Sequence, residues 1–146
     1  MSLLLIDVGN MRVKWAVLEK GRQRPQRAAA HAGWQAADFS RHIFGPSRGI
    51  ERVIVSSVAS ARLNRMLARA SRQRCGIAPL FVKTQRQAAG VTTKYEEPWR
   101  LGVDRFVAAI GATTLSRVKL GLAFASQLRT REALFRAVGQ TLPSSR

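Results

Sequence analysis

At 146 residues, 46% hydrophobic and 23% charged, the chain is long enough to bury one core and has the composition of an ordinary globular domain. No apolar run reaches the roughly 18–20 residues of a membrane span, Leu3 to Ile6 lacks a signal peptide's basic lead, and the single Cys75 excludes an internal disulfide or zinc knuckle, so a cytoplasmic protein is expected. Twenty-five Lys and Arg against eight Asp and Glu give a formal charge of +17, but these residues are scattered from Arg12 to Arg146 without a dense run, which predicts a solvated basic surface rather than a nucleic-acid arm.

Leu3 to Asp7 is a short apolar run closed by an acid, and Gly9-Asn10 follows as a turn pair. Val13, Trp15 and Val17 then alternate with other residues, which predicts the return strand of a hairpin that ends at Gly21. Ala28 to Ala32 is a candidate third strand. Trp34 to Phe44 reads as a short amphipathic helix with Trp34, Ala37, Ile43 and Phe44 facing a core, stopped by Gly45-Pro46. Arg52 to Val58 reads as a buried strand. Ala59 to Arg74 places Leu63, Met66, Leu67 and Ala70 at helical spacing between arginines, with Ser60 as N-cap. A short strand at Leu80 to Val82, a surface loop from Gln85 to Pro98 and a helix from Leu101 to Ile110 complete an α/β order without internal repeats.

Two constellations carry potential chemistry. In Asp7-Val8-Gly9-Asn10-Met11-Arg12-Val13-Lys14, a carboxylate at a strand end, a glycine permitting close backbone approach and a lysine on the return strand would suit a phosphate chain and its metal; a plain hairpin with an incidental acid is the alternative. In Leu101-Gly102-Val103-Asp104-Arg105, Asp104 falls at a loop-to-helix junction, where an acid can reach a substrate hydroxyl, and Arg105 could neutralise a phosphoryl group; a helix-start acid with a solvated neighbour is the alternative. Two of the chain's three aspartates, Asp7 and Asp104, fall in these motifs.

With Lys14-Trp15 after the first motif, Ser56-Ser57-Val58-Ala59, and Gly90-Val91-Thr92 with Tyr95, the two constellations resemble, in order and spacing, the type III pantothenate kinase family. The resemblance runs from about Leu3 to Ala112. It implies an α/β fold, an RNase H-like half of the actin-like ATPase type with a mixed sheet and flanking helices. It also implies ATP-dependent phosphorylation of pantothenate, the first step of coenzyme A synthesis. By matching position, Asp7, Val8, Gly9, Asn10, Met11, Arg12, Val13 and Lys14 would bind ATP, with Asp7 also on the metal. Tyr95, Gly102, Val103, Asp104 and Arg105 would contact pantothenate, and Asp104 would be the general base. The resemblance further implies Mg²⁺, a monovalent cation (K⁺ or NH₄⁺) and a homodimer, while the hydropathy predicts no membrane partner and the charge pattern speaks against nucleic acid. The resemblance has the Asp7 and Asp104 motifs facing one cleft.

The chain also departs from the family pattern. Met11 stands where threonine or serine is usual, and Thr93-Lys94 where Asn-Gly is usual. After Ala112 no Asp-x-Gly-Thr motif follows, so 1–112 is expected to be a kinase-like domain, 113–146 a basic helical tail, and the whole a shortened or internally deleted kinase with little turnover. The alternatives are a polyanion- or nucleic-acid-binding protein and an inactive regulatory remnant.

Overall fold

The computed structural model describes residues 2–89, 91–93 and 96–117. They belong to two compact units, Met1–Phe81 and Val82–Arg146.

The first unit is built on a sheet in the order β3-β2-β1-β5-β6, with β4 also paired to β2. Its strands are β1 (Ser2–Val8), β2 (Arg12–Glu19), β3 (Arg22–Gln23), β4 (Arg27–Ala30), β5 (Arg52–Ser57) and β6 (Leu80–Phe81). β1 runs antiparallel to β2 and parallel to β5, and β5 runs parallel to β6, so the sheet is mixed as the sequence predicts. The predicted third strand lies at 27–30 rather than 28–32, and β3 is an addition. Arg22 and Gln23 carry no apolar signal; their strand character comes from antiparallel pairing with Glu19 and Leu18.

Strand alternation sorts the side chains. Leu4, Ile6 and Val8, Val13 and Trp15, and Val53 and Val55 enter one core with Phe39, Ile43, Phe44, Leu67 and Ala70. The other face of β1, β2 and β5 carries Leu3, Leu5, Ala16, Leu18 and Ile54, also buried. Burial on both faces explains why β1 is a continuous apolar run rather than an alternating one.

The predicted helix at 34–44 is two pieces, a turn of helix α1 (Ala36–Phe39) and a π-helical turn, Ser40–Phe44, closed by the Gly45 N–H donating to the Ser40 carbonyl at 2.8 Å. Phe39 is fully buried, and Ala37, expected in the core, is exposed, whereas Ile43 and Phe44 are in the core as expected. Trp34 packs at the edge of the core, edge-on to Phe39 and stacked on His42.

Helix α2 (Ala61–Cys75) follows the sequence closely. The Ser60 hydroxyl accepts from the Leu63 N–H at 3.3 Å, Leu67 and Ala70 are buried, and Leu63 and Met66 pack against the core. Gly76 ends the helix at φ +70°, a left-handed conformation that favours glycine, with its N–H on the Arg72 carbonyl at 3.0 Å. Cys75 packs partly against the core, and burial pushes its thiol pKa up.

In the second unit the expected loop holds a small hairpin, β7 (Gln87–Ala88) with β8 (Val91–Thr92), followed by a 3₁₀ turn, Pro98–Arg100, and helix α3 (Val103–Arg117). Two-residue strands are too short to leave a periodic signal. Ala88, Phe106 and Ile110 form a buried cluster with Leu101 against it. Trp99 is 72% exposed. Helix α3 starts at Val103 and continues past Ile110, so that residue 112 lies inside it.

Truncating Leu67, 1% exposed, to Ala is expected to cost about 2–5 kcal/mol in urea unfolding. Met11→Ala, at a side chain 78% exposed, should stay within about 0.5 kcal/mol.

Candidate active site

β1 ends at Val8 and β2 begins at Arg12, leaving Gly9, Asn10 and Met11 as the turn. The Gly9 N–H donates to the Arg12 carbonyl at 2.9 Å, and none of the three residues has a positive φ. Space is tight at Gly9: a Cβ would sit 3.3 Å from the Arg12 carbonyl oxygen, so the turn would have to give slightly to accept a side chain. Met11, Arg12 and Lys14 are exposed, and Val13 is core.

His31, which carried no signal in the sequence, braces this turn from behind. It is 7% exposed, its Nε2 lies 2.7 Å from the Gly9 carbonyl oxygen, and its backbone N–H donates to the Met11 carbonyl at 3.2 Å. A carbonyl only accepts, so Nε2 carries the proton. The residue follows β4, whose register pairs Ala30 with Arg12 and so brings the next position level with the turn.

The β1 register places Asp7 opposite Lys14 on β2 and opposite Ser56 on β5. All three lie on the sheet face away from the Leu4–Ile6–Val8 core, so an acid, an ammonium and a hydroxyl form one row across three strands. Asp7 and Ser56 stand at the carboxyl ends of adjacent parallel strands, where open α/β sheets bind ligands. Asp7 is half-buried; Ser56 is 3% exposed, and its Oγ has no hydrogen-bond partner among the described residues. No group of three or more His, Cys, Asp and Glu side chains that could hold a metal occurs among them either. A lone carboxylate fits Mg²⁺ bound mainly through phosphates and water, and the bare hydroxyl fits a polar ligand beside it.

In the second unit, Asp104 occupies the first turn of α3, half-buried, and Arg105 is exposed. The Gly102 carbonyl accepts from the Phe106 N–H at 3.1 Å, and Thr84 Oγ1 donates to the Leu101 carbonyl at 2.9 Å, fixing the chain just ahead of the helix. Thr93 N–H donates to the Arg86 carbonyl at 2.9 Å, and the Arg86 guanidinium donates to the Glu96 carbonyl at 3.0 Å. Tyr95 and Lys94 lie outside the described residues.

The family profile for type III pantothenate kinase matches residues 3–124. The chain belongs to the type III pantothenate kinase family. The match continues beyond Ala112, where the sequence resemblance fades. Proteins named type III pantothenate kinase are 36% identical over 115 residues in Aromatoleum aromaticum, 39% over 120 residues in Herminiimonas arsenicoxydans, and 38% over 112 residues in Xanthomonas oryzae. These alignments cover 79%, 77% and 77% of this chain and 46%, 45% and 45% of those proteins, so the chain spans about half the length of the relatives it matches. Among solved structures it is similar to a Thermus thermophilus RuvC structure, with TM-score 0.52 and 15% identity over 94% of this chain and 92% of that one, a likeness of fold alone. The fold is thus a mixed-sheet α/β half of the actin-like ATPase type. No helix among the described residues is long and apolar enough to cross a membrane.

Replacing His31 with Ala removes the donor to Gly9 and is expected to cost about 1–2 kcal/mol in urea unfolding. Amide exchange should accelerate at Gly9 and Arg12 while the α2 amides stay protected; a uniform change across the first unit would show that His31 does not brace the turn.

Proposed function

We propose that the chain carries the nucleotide-binding half of a pantothenate kinase, with ATP and a divalent cation held at the β1–β2 turn. The observation behind this reading is the row Lys14–Asp7–Ser56 beside a turn whose backbone is pinned by Gly9 and His31. Lys14 offers its ammonium to phosphate oxygens, and Asp7 offers a carboxylate to Mg²⁺ or its water. The turn between Val8 and Val13, exposed at Asn10, Met11 and Arg12, would lie beside the phosphate chain, with Met11 supplying no hydroxyl and Arg12 adding charge. Bound MgATP would supply the γ-phosphoryl group, and a monovalent cation, K⁺ or NH₄⁺, would add to the charge balance.

On the substrate side, Tyr95, Gly102, Val103 and Arg105 bind pantothenate, and Asp104 takes the proton from its primary hydroxyl. The requirement on these residues is positional: phosphoryl transfer gains most from holding hydroxyl and phosphate in line, with Arg105 offsetting charge. The working protein is a cytoplasmic homodimer.

A second reading has one observation of its own. Arg41, Arg62, Arg65, Arg69 and Arg74 line a groove of about 800 Å³ between α1 and α2, and α2 contains no acid, so this face would attract a polyanion. Binding there would weaken steeply with salt and be indifferent to Asp7→Asn.

Under the kinase reading, MgATP raises the unfolding midpoint of the wild-type chain, and Asp7→Asn abolishes the rise. In coupled ADP release with pantothenate, Mg²⁺ and K⁺, Asp104→Asn lowers turnover by about 10²–10⁴-fold while Arg22→Ala leaves it unchanged. Nucleotide binding without turnover would keep the binding half of the reading and remove the enzyme claim from this chain. A midpoint unmoved by MgATP would remove both.

A further inference from the structure

Ser56 and Ser57 are neighbours at the end of β5, yet the structure treats their hydroxyls differently. Ser57 Oγ donates to Asn64 Oδ1 at 2.6 Å and accepts from the Ala59 N–H at 3.2 Å, so it ties the strand to α2. Ser56 Oγ is buried, has no partner among the described residues, and belongs to the opposite face, level with Asp7. A buried hydroxyl with an unmade hydrogen bond destabilises the fold that contains it. Nothing in local packing calls for one. Val53, Ile54 and Val55 precede it on the strand, all buried, and an apolar residue at 56 would continue that run without the loss.

We propose that Ser56 is a further binding residue of the phosphate–cation site. Its hydroxyl is left bare in the free protein and gains its partner when a divalent cation comes to Asp7, accepting a hydrogen bond from water in the cation's shell. Mg²⁺ gives up its waters reluctantly and presents them as strongly polarised donors, so a protein that offers one carboxylate needs neutral acceptors beside it. Ser56 is placed for that task by register, since β1 and β5 are adjacent parallel strands and both residues stand at their carboxyl ends. Lys14, on the other flank of Asp7, can serve phosphate oxygens but cannot accept from water. The row thus divides the work, with the ammonium toward phosphate, the carboxylate toward the cation and the hydroxyl toward its water.

The inference rests on the nucleotide reading and is tested on the full chain with Ser56→Ala, Asp7→Asn and wild type. Two measurements are made: the unfolding midpoint without ligand, and calorimetric titration with ATP in excess Mg²⁺ and in EDTA. Ser56→Ala is expected to raise the ligand-free midpoint, because it deletes an unpaired buried hydroxyl. It should also weaken ATP binding in Mg²⁺ roughly tenfold while leaving binding in EDTA unchanged. Asp7→Asn should lose the Mg²⁺ dependence altogether. A lowered midpoint in Ser56→Ala would mean the hydroxyl already has a partner in the free protein, and unaltered Mg²⁺-dependent affinity would mean it does not serve the cation; either overturns the inference while the Asp7 result stands. A wild type that fails to bind ATP in Mg²⁺ overturns the nucleotide reading and this inference together.

Discussion

Everything proposed for the first unit depends on β1 being hydrogen-bonded on both sides, antiparallel to β2 and parallel to β5. That double pairing fixes the register of three strands at once, and register decides which side chains share a face. A slip of one residue would send Asp7 into the apolar core and lift Ile6 or Val8 out of it, so the hydrophobic pattern that stabilises the sheet also holds the acid in place. Leu4, Ile6 and Val8 on one face and Leu3 and Leu5 on the other are all essentially inaccessible to water. At roughly 1.5–3 kcal/mol for each fully buried aliphatic side chain, their preference greatly exceeds what one misplaced polar contact could offset.

The polar row therefore sits at the end of an otherwise apolar strand, where burial gives way to the turn. Its charge is set by its neighbours. Lys14 is directly across from Asp7, Arg12 lies on the turn side, and the chain as a whole carries +17, a field that favours an anionic ligand and its counter-cation over a second carboxylate. The same excess charge collects on α2, whose five arginines face no acid within the helix. One basic surface can thus serve two readings, and Asp7 separates them, because an acid contributes to cation-bridged phosphate and detracts from direct anion binding.

Much of this was legible in the sequence. Apolar continuity gave β1, alternation gave β2, and heptad-like spacing with Ser60 ahead of it gave α2 and its cap. The kinase family followed from four short motifs in register, confirmed by the profile match. Other features depended on contacts distant in the chain. The π-helical turn at Ser40–Phe44 is closed by a hydrogen bond spanning five residues, which a 3.6-residue period cannot anticipate. β3, β7 and β8 are two residues each and exist through their partners. His31 is 22 positions from the glycine it holds, and Ser56 lies 49 positions after Asp7; each would read alone as an ordinary strand-edge residue. Ser56-Ser57 did stand out as a family-like motif, but only the sheet register shows which hydroxyl faces the acid.

The most direct test of the account is a backbone amide chemical-shift titration of the ¹⁵N-labelled chain with MgADP at moderate salt. The account predicts that the largest changes fall on Gly9, Asn10, Met11 and Arg12, with Ser56 and Ser57 next and α2 little affected. Changes confined to Arg62, Arg65 and Arg69, with the β1–β2 turn silent, would contradict it and leave the basic groove as the chain's anion site.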